Sequence, residues 1–325
     1  MRFRKFILFF ILTTATFVSC HKEDISLNYT VVGLNTSAEI HNLFFIDSVT
    51  GYAVGGIQNE SGYIFKTADG GNNWQKIFQS YTNLNDIYFL TPETGFACGD
   101  DILLLRTPDA GNSWLKVTYG WEPPEAYISP LKHIEFVNDT AGYIVGGAYF
   151  DRGILFRSQN GGLWWEPYHF DNELSASHFT DNLTGIVGGY GLISKTTDGA
   201  NSFEPIDIRG DFFTSFYFTT KEIGFACGYN GGIYKTDDGG NNWTTVYSPN
   251  NASFDRIHLN DIAFTKDEKG IVVGNDGLIL ISNDNGSSWE KAQHFTSGKL
   301  FSVTVNSDNS VWITSEYGNI FLLKL

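Results

Sequence analysis

Apolar residues in this chain come in short runs that alternate with glycine and small polar residues, and no long stretch holds the 3.6-residue period of an amphipathic helix. Six similar runs, HNLFFID, LNDIYFL, LKHIEFV, SASHFTD, FTSFYFT and LNDIAFT, each precede a second apolar run edged by glycine. These second runs start at Gly51, Gly95, Gly142, Gly185, Gly224 and Gly270, and GYAVGG and GFACGD are examples. A third run follows, and then a turn carrying an aromatic residue, as in KTADGGNNWQKI at 66–77 and its near copies from Arg106 and Lys235. Each unit therefore reads strand, glycine turn, strand, loop, strand, tight turn, strand, which is one four-stranded meander.

The turn phrase obeys Ser/Thr-x-Asp-x-Gly-x-x-Trp and recurs six times. Its acidic position falls on Asp69, Asp109, Asn160, Asp198, Asp238 and Asp284, at intervals of 38 to 51 residues. That spacing is the length of a propeller blade. Its aromatic position falls on Trp74, Trp114, Trp165, Phe203, Trp243 and Trp289. A seventh unit, KLFSVTVN, SVWITSEYG and NIFLLKL, has three strands, and SLNYTVVGL at 26–34 is a strand with no unit of its own. The expected fold is all-β: a seven-bladed β-propeller of four-stranded antiparallel blades over residues 26–325. The N-terminal strand closes the last blade and removes the free edge.

The repeated carboxylate suits a structural part. A short acidic side chain in a turn accepts hydrogen bonds from the next backbone amides, the glycine takes positive φ, and the tryptophan buries a large area across the blade. The departures keep these roles: Asn160 retains an acceptor and Phe203 an aromatic, whereas Ala200 in place of glycine is expected to strain its turn. The many glycine pairs read as blade turns. Cys98 and Cys227, in two copies of GFACG, read as small buried hydrophobes.

This pattern resembles the Asp-box, or BNR, repeat, and residues 26–325 as a whole are similar to the seven-bladed photosystem II stability/assembly factor-like family. The resemblance implies the propeller fold. For photosystem-type members it also implies a chaperone-like role toward a membrane protein through a basic patch. This chain is acidic, with a formal charge of −15, and poor in arginine, so that particular partner is not expected. Asp-box propellers also include sialidases and other glycosidases.

The N-terminus reads separately. MRFRKF is basic, FILFFILTTATFV is apolar, and Ser19-Cys20 follows, as in a secretory signal at 1–19. Val18-Ser19-Cys20 resembles the bacterial lipoprotein box, which implies acylation of Cys20 and a short tether at 20–25. His21-Lys22-Glu23-Asp24 is similar to the surface-export signal of Bacteroidetes lipoproteins. Loss of Arg2, Arg4 and Lys5 on cleavage takes the charge from −15 to about −18, against non-specific nucleic-acid binding.

Candidate chemistry is sparse. The mature chain holds only Arg106, Arg152, Arg157, Arg209 and Arg256, too few in the right places for a sialidase, and no phosphate loop, zinc spacing or nucleophile elbow is present. His133, His169 and His258 read as solvated loop residues. The face away from the Asp-box turns carries the largest insertion, 119–131, next to GGAYFDRG at 146–153. Its candidate binding residues are Trp121, Tyr127, Tyr149, Phe150, Asp151 and Arg152, with Tyr190, Tyr229, Asp276 and Tyr317 at equivalent loop positions around the channel mouth.

The expected function is a non-enzymatic binding or assembly module, monomeric, without cofactor or metal. It would meet an unknown protein or glycan partner and touch the outer membrane through its lipid alone, with cell-surface exposure left open. The alternative is a glycan-processing hydrolase of the Asp-box type, with an unrecognised carboxylate pair.

Overall fold

The computed structural model describes residues 24–119, 129–208, 210–249 and 258–325. These residues form seven four-stranded antiparallel sheets arranged as blades. The first strands of blades 1–7 are Glu39–Phe45, Leu84–Phe89, Leu131–Phe136, Leu174–Phe179, Phe213–Phe218, Leu259–Phe264 and Leu300–Val305. All seven line one central channel. In blade 7 the outer strand is Asn28–Gly33, paired antiparallel with Asn319–Lys324 from Asn28↔Lys324 to Gly33↔Asn319. The ring is thus closed by the two ends of the chain, and blade 7 has no exposed edge where its partner would be missing.

A phenylalanine–glycine pair explains the recurring glycine that opens each second strand. Phe45, Phe89, Phe136, Phe179, Phe218 and Phe264 lie opposite Gly51, Gly95, Gly142, Gly185, Gly224 and Gly270. A Cβ on any of these glycines would stand within 2.9 Å of that ring or, at Gly270, of Trp289. The ring lies flat over the bare backbone and fills the space a side chain would take. The glycines that close the second strands answer a different crowding: a Cβ on Gly55 would stand 1.8 Å from the Glu39 carbonyl oxygen and one on Gly189 1.9 Å from that of Glu173. Gly55 and Gly56 lie within the strand Gly51–Ile57, and Gly188 and Gly189 within Gly185–Gly189. These pairs are therefore strand residues at a close backbone approach, not the blade turns expected of them.

The cores lie between blades. One cluster joins Phe96, Cys98 and Leu104 of blade 2 to Leu131, Ile144, Ile154 and Trp165 of blade 3. The Asp-box tryptophans sit at these boundaries. Trp165 is 1% exposed and meets Phe96 of blade 2 and Phe136 of its own blade edge-on, with centroids 6.1 and 5.7 Å apart. Trp289 meets Phe264 edge-on at 5.9 Å. The tryptophan therefore packs across its own blade onto the first-strand phenylalanine, as its position suggested, and at Trp165 it also fastens that blade to the one before through Phe96. Cys98 and Cys227 are free and fully buried, and burial pushes both thiols upward.

The turns themselves show one hydrogen-bond frame. Thr67 Oγ1 donates to Asp69 Oδ1 at 2.9 Å and accepts from the Gly71 amide at 3.0 Å. Asp69 Oδ1 accepts from the Asn73 amide at 2.9 Å, its Oδ2 accepts from Asn73 Nδ2 at 2.7 Å, and Trp74 Nε1 donates to Gly71 O at 3.0 Å. Asp109, Asp198, Asp238 and Asp284 repeat the carboxylate bonds with Ser113, Ser202, Asn242 and Ser288. The side-chain and backbone donors hold all five carboxyls below their usual range, Asp198 and Asp238 to about 2. Ala200 does take a left-handed φ of 63°, but its methyl is fully buried against the blade 3–4 core, which offsets part of the strain.

Candidate functional site

The first strand of each blade runs toward the Asp-box side, so the loops between second and third strands gather on the opposite face, around the other mouth of the channel. Several loop residues there have left-handed backbone: Tyr149 at φ 59°, Phe150 at 69°, Asp276 at 55° and Tyr317 at 57°. Such conformations cost aromatic residues of order 1–2 kcal/mol each, so their surroundings must hold them. Phe150 is held by Glu173: its amide donates to Glu173 Oε2 at 2.7 Å, and the Glu173 amide donates to Phe150 O at 3.1 Å.

These constraints bring aromatic rings into an arc across blades 3 to 6. Phe150 meets Tyr190 at 4.7 Å between centroids and Phe212 at 6.5 Å. Phe212 stacks on Tyr229 at 4.6 Å, and Tyr229 stacks on His258 at 4.4 Å. Phe150 is 56% exposed, Tyr190 47% and Tyr229 38%, whereas Phe212 is buried beneath them. Lys132 lies over the Phe212 ring at 5.3 Å and pairs with Glu173. Asp211, 4% exposed, anchors the underside by accepting from the Phe212 and Asn230 amides, both at 2.8 Å, and from the Tyr234 hydroxyl at 2.9 Å.

The expected binding residues divide accordingly. Phe150, Tyr190 and Tyr229 stand together in the arc. Tyr149, 73% exposed, pairs instead with Arg152, whose guanidinium lies 5.1 Å from its ring, and Asp151 lies beside that arginine at 4.0 Å. Asp276 and Tyr317 occupy the matching turns of blades 6 and 7, outside the run of touching rings. The Asp276 carbonyl accepts from His294 Nδ1 at 3.0 Å. Trp121, Tyr127 and Cys20 lie outside the described residues. Sequence reasoning missed Phe212, Lys132, Glu173 and Asp211. Phe212, Glu173 and Asp211 lie just before a first strand rather than in the exposed loops, and only the ring closure carries them to the mouth.

The channel is a cavity of about 480 Å³, and its wall is a belt of hydrogen bonds between blades. Ser302 of blade 7 donates to Asn42 of blade 1 at 3.2 Å, and Asn42 Nδ2 donates to Asp86 of blade 2. Asp86 also accepts from the Ile134 amide of blade 3 at 2.8 Å and pairs with His133 at 2.9 Å. Farther round, Asp261 accepts from Ser215 of blade 5 at 2.6 Å and from the Val303 amide of blade 7 at 2.9 Å. Burial opposes charge on His133, yet the hydrogen bond to Asp86 and the nearby carboxylates of Asp86, Glu135 and Asp261 lift it to about 9. Burial pushes Asp261 up to about 6 against the pull of Ser215 and two amides. His133 is thus a channel-wall residue in a first strand, His169 lies in the outer strand Glu166–Phe170, and His258 is stacked on Tyr229. His133 is therefore not the solvated loop residue expected, whereas His169 is solvated but in a strand and His258 is in a connection but half-buried.

Fold and site together define a seven-bladed Asp-box propeller whose open chemistry is an aromatic surface away from the repeat turns. The chain belongs to the family described as photosynthesis system II assembly factor YCF48, whose model matches residues 21–128 and 211–324. It is 26% identical over 137 residues to the photosystem II assembly lipoprotein Ycf48 of Synechococcus sp. (strain CC9902), a match that takes in 40% of this chain and 39% of that protein's length. A solved structure of YCF48 bound to D1 peptide is similar over 93% of this chain and all of that one, with a TM-score of 0.74 at 19% identity. YCF48 from Cyanidioschyzon merolae matches over 90% of this chain and 98% of its own, with a TM-score of 0.69 at 14% identity.

Proposed function

We propose that this protein is a non-enzymatic binding propeller that takes up a segment of a partner protein on the face opposite its Asp-box turns. On the same reading it is an exported lipoprotein, held at the outer membrane through acylated Cys20. The observation that carries the binding role is the arc of exposed, touching rings from Phe150 through Tyr190 to Tyr229 and His258. Rings already held by Glu173 and Asp211 lose little freedom on binding, and exposed aromatics of this kind dominate interface energetics. Binding of a D1 peptide by a structurally similar YCF48 supports a peptide as the kind of partner. The channel carboxylates are placed otherwise: Asp86, Glu135 and Asp261 each take donors from a neighbouring blade, which suits wall building rather than acid–base chemistry.

The test is the affinity of the chain for the partner it retains from its own membranes. Phe150→Ala, Tyr190→Ala and Tyr229→Ala are each expected to weaken that binding by about tenfold or more, the scale of an interface hot spot, with an unchanged melting temperature. Unchanged affinity in all three would remove the arc from the binding surface.

A further inference from the structure

One Asp-box turn differs from the other five in a way its fold does not require. The two residues before the aromatic are Asn72-Asn73, Asn112-Ser113, Asn201-Ser202, Asn241-Asn242 and Ser287-Ser288, but Leu163-Trp164 in blade 3. In the five polar copies the second side chain donates to the second carboxylate oxygen at 2.6–2.7 Å. Trp164 supplies no such donor there, and the acid is Asn160, whose Oδ1 is met by the Trp164 amide at 2.9 Å and the Ser158 hydroxyl at 3.1 Å. The turn has given up polar bonds and holds Leu163 67% and Trp164 48% exposed on the Asp-box face. Leu183, 52% exposed, lies on the same face in blade 4. Its carbonyl accepts from the Gly199 amide of a turn that Arg157 of blade 3 holds through Gly199 O.

The chain's own entry lies across the ring. Ile25 pairs in parallel with Ala292 in the outer part of blade 6, three residues past the Asp-box Trp289, with its amide donating to Lys291 O at 3.1 Å. The outer strand leaves the Asp-box side at that point, so a parallel segment also starts from that side. It then continues as the outer strand of blade 7. In a closed ring of seven, the boundary of blades 6 and 7 stands diametrically opposite blade 3. Cys20 precedes Asp24 by four residues, a reach of at most about 14 Å.

We propose that the Asp-box face lies against a lipid bilayer and is held at two points, the acylated N-terminus beside blades 6 and 7 and the Leu163–Trp164 tip of blade 3. This rests on the lipid-anchor reading above. Tryptophan suits a bilayer interface because its ring is apolar and its N–H polar, and leucine beside it enters the acyl boundary. Two contacts at opposite rims fix the tilt of the disc, and the aromatic arc then points away from the membrane toward its partner. The ionised Asp-box carboxylates on that face favour an electroneutral lipid surface over an anionic one.

The experiment uses the full lipoprotein in phosphatidylcholine–phosphatidylethanolamine vesicles that contain spin-labelled lipid. An environment-sensitive fluorophore is placed on Leu163→Cys, Leu183→Cys or Tyr190→Cys, while the buried Cys98 and Cys227 stay unlabelled. Quenching at 163 is expected to exceed that at 190 several-fold. The double change Leu163→Asn with Trp164→Ser restores the turn of the other blades, so it should fold, and it is expected to reduce quenching at 183. Equal quenching at 163 and 190 with an acylated N-terminal peptide by mass spectrometry overturns the orientation while the anchor stands. A blue-shifted but unquenched label at 163 would place protein rather than lipid on the tip and also overturn it. An N-terminal peptide without acyl chains overturns the anchor reading, and with it the two-point contact.

Discussion

Asp86→Ala is expected to destabilise the propeller by about 2–4 kcal/mol, chiefly the cost of leaving buried donors without their acceptor. The Asp86 side chain is 4% exposed and is shared among three blades. It takes Asn42 of blade 1, the Ile87 amide of its own blade, and both His133 and the Ile134 amide of blade 3. The variant leaves the His133 cation without its closest counter-charge and two buried amides without acceptors. The pH dependence has a definite sign. His133 is raised to about 9 in the fold, so its contribution is full below its unfolded pKa near 6.5 and is lost as pH rises through about 9. Denaturant melts of the wild type should therefore weaken between pH 7 and 9. In Asp86→Ala this alkaline decline should shrink, because its main cause is gone. A variant with wild-type stability at pH 7 would contradict the account of the channel wall.

Trp165→Ala is expected to cost a similar amount, about 3–5 kcal/mol, by emptying a large site in a core that cannot fully collapse. Trp165 is 1% exposed between Phe96 and Phe136, and its indole N–H donates to Gly162 O at 3.1 Å. Because the cluster joins blades 2 and 3, the loss should appear as early opening of that boundary. Amide exchange should quicken in Gly95–Gly99 and Leu131–Phe136 before the far side of the ring. Trp165→Phe keeps an aromatic, as Phe203 does in the fourth copy, and should recover a large part of the loss. Uniform exchange across all seven blades would show that the tryptophan does not act as a boundary fastener.

The blade count and the closure were legible because their determinants are local. An acid, a glycine and a tryptophan within eight residues make the same turn wherever they occur, and a strand without a unit must pair with a unit lacking a strand. The channel wall was harder to see, because Asn42, Asp86, His133, Asp261 and Ser302 lie about a blade or more apart in sequence. They meet only when every first strand adopts the same register, which is why His133 looked like a loop residue. The candidate face was half legible. Phe150, Tyr190 and Tyr229 announced themselves as aromatics in loops, whereas Phe212 and Glu173, which organise them, sit in connections between blades whose course depends on the closed ring. Leu163-Trp164 escaped the sequence reading, because the motif leaves those two positions unspecified, and its meaning depends on where the N-terminal segment joins the ring.

The two faces can be told apart by one measurement. A photo-reactive benzoylphenylalanine is placed at Tyr190, within the arc, or at Leu183, exposed on the Asp-box side, and the protein is irradiated in its native membrane. Covalent adducts with a partner protein from position 190, and none from position 183, are the expected result. Adducts from position 183 alone, or equally from both, would contradict a binding surface on the face opposite the Asp-box turns.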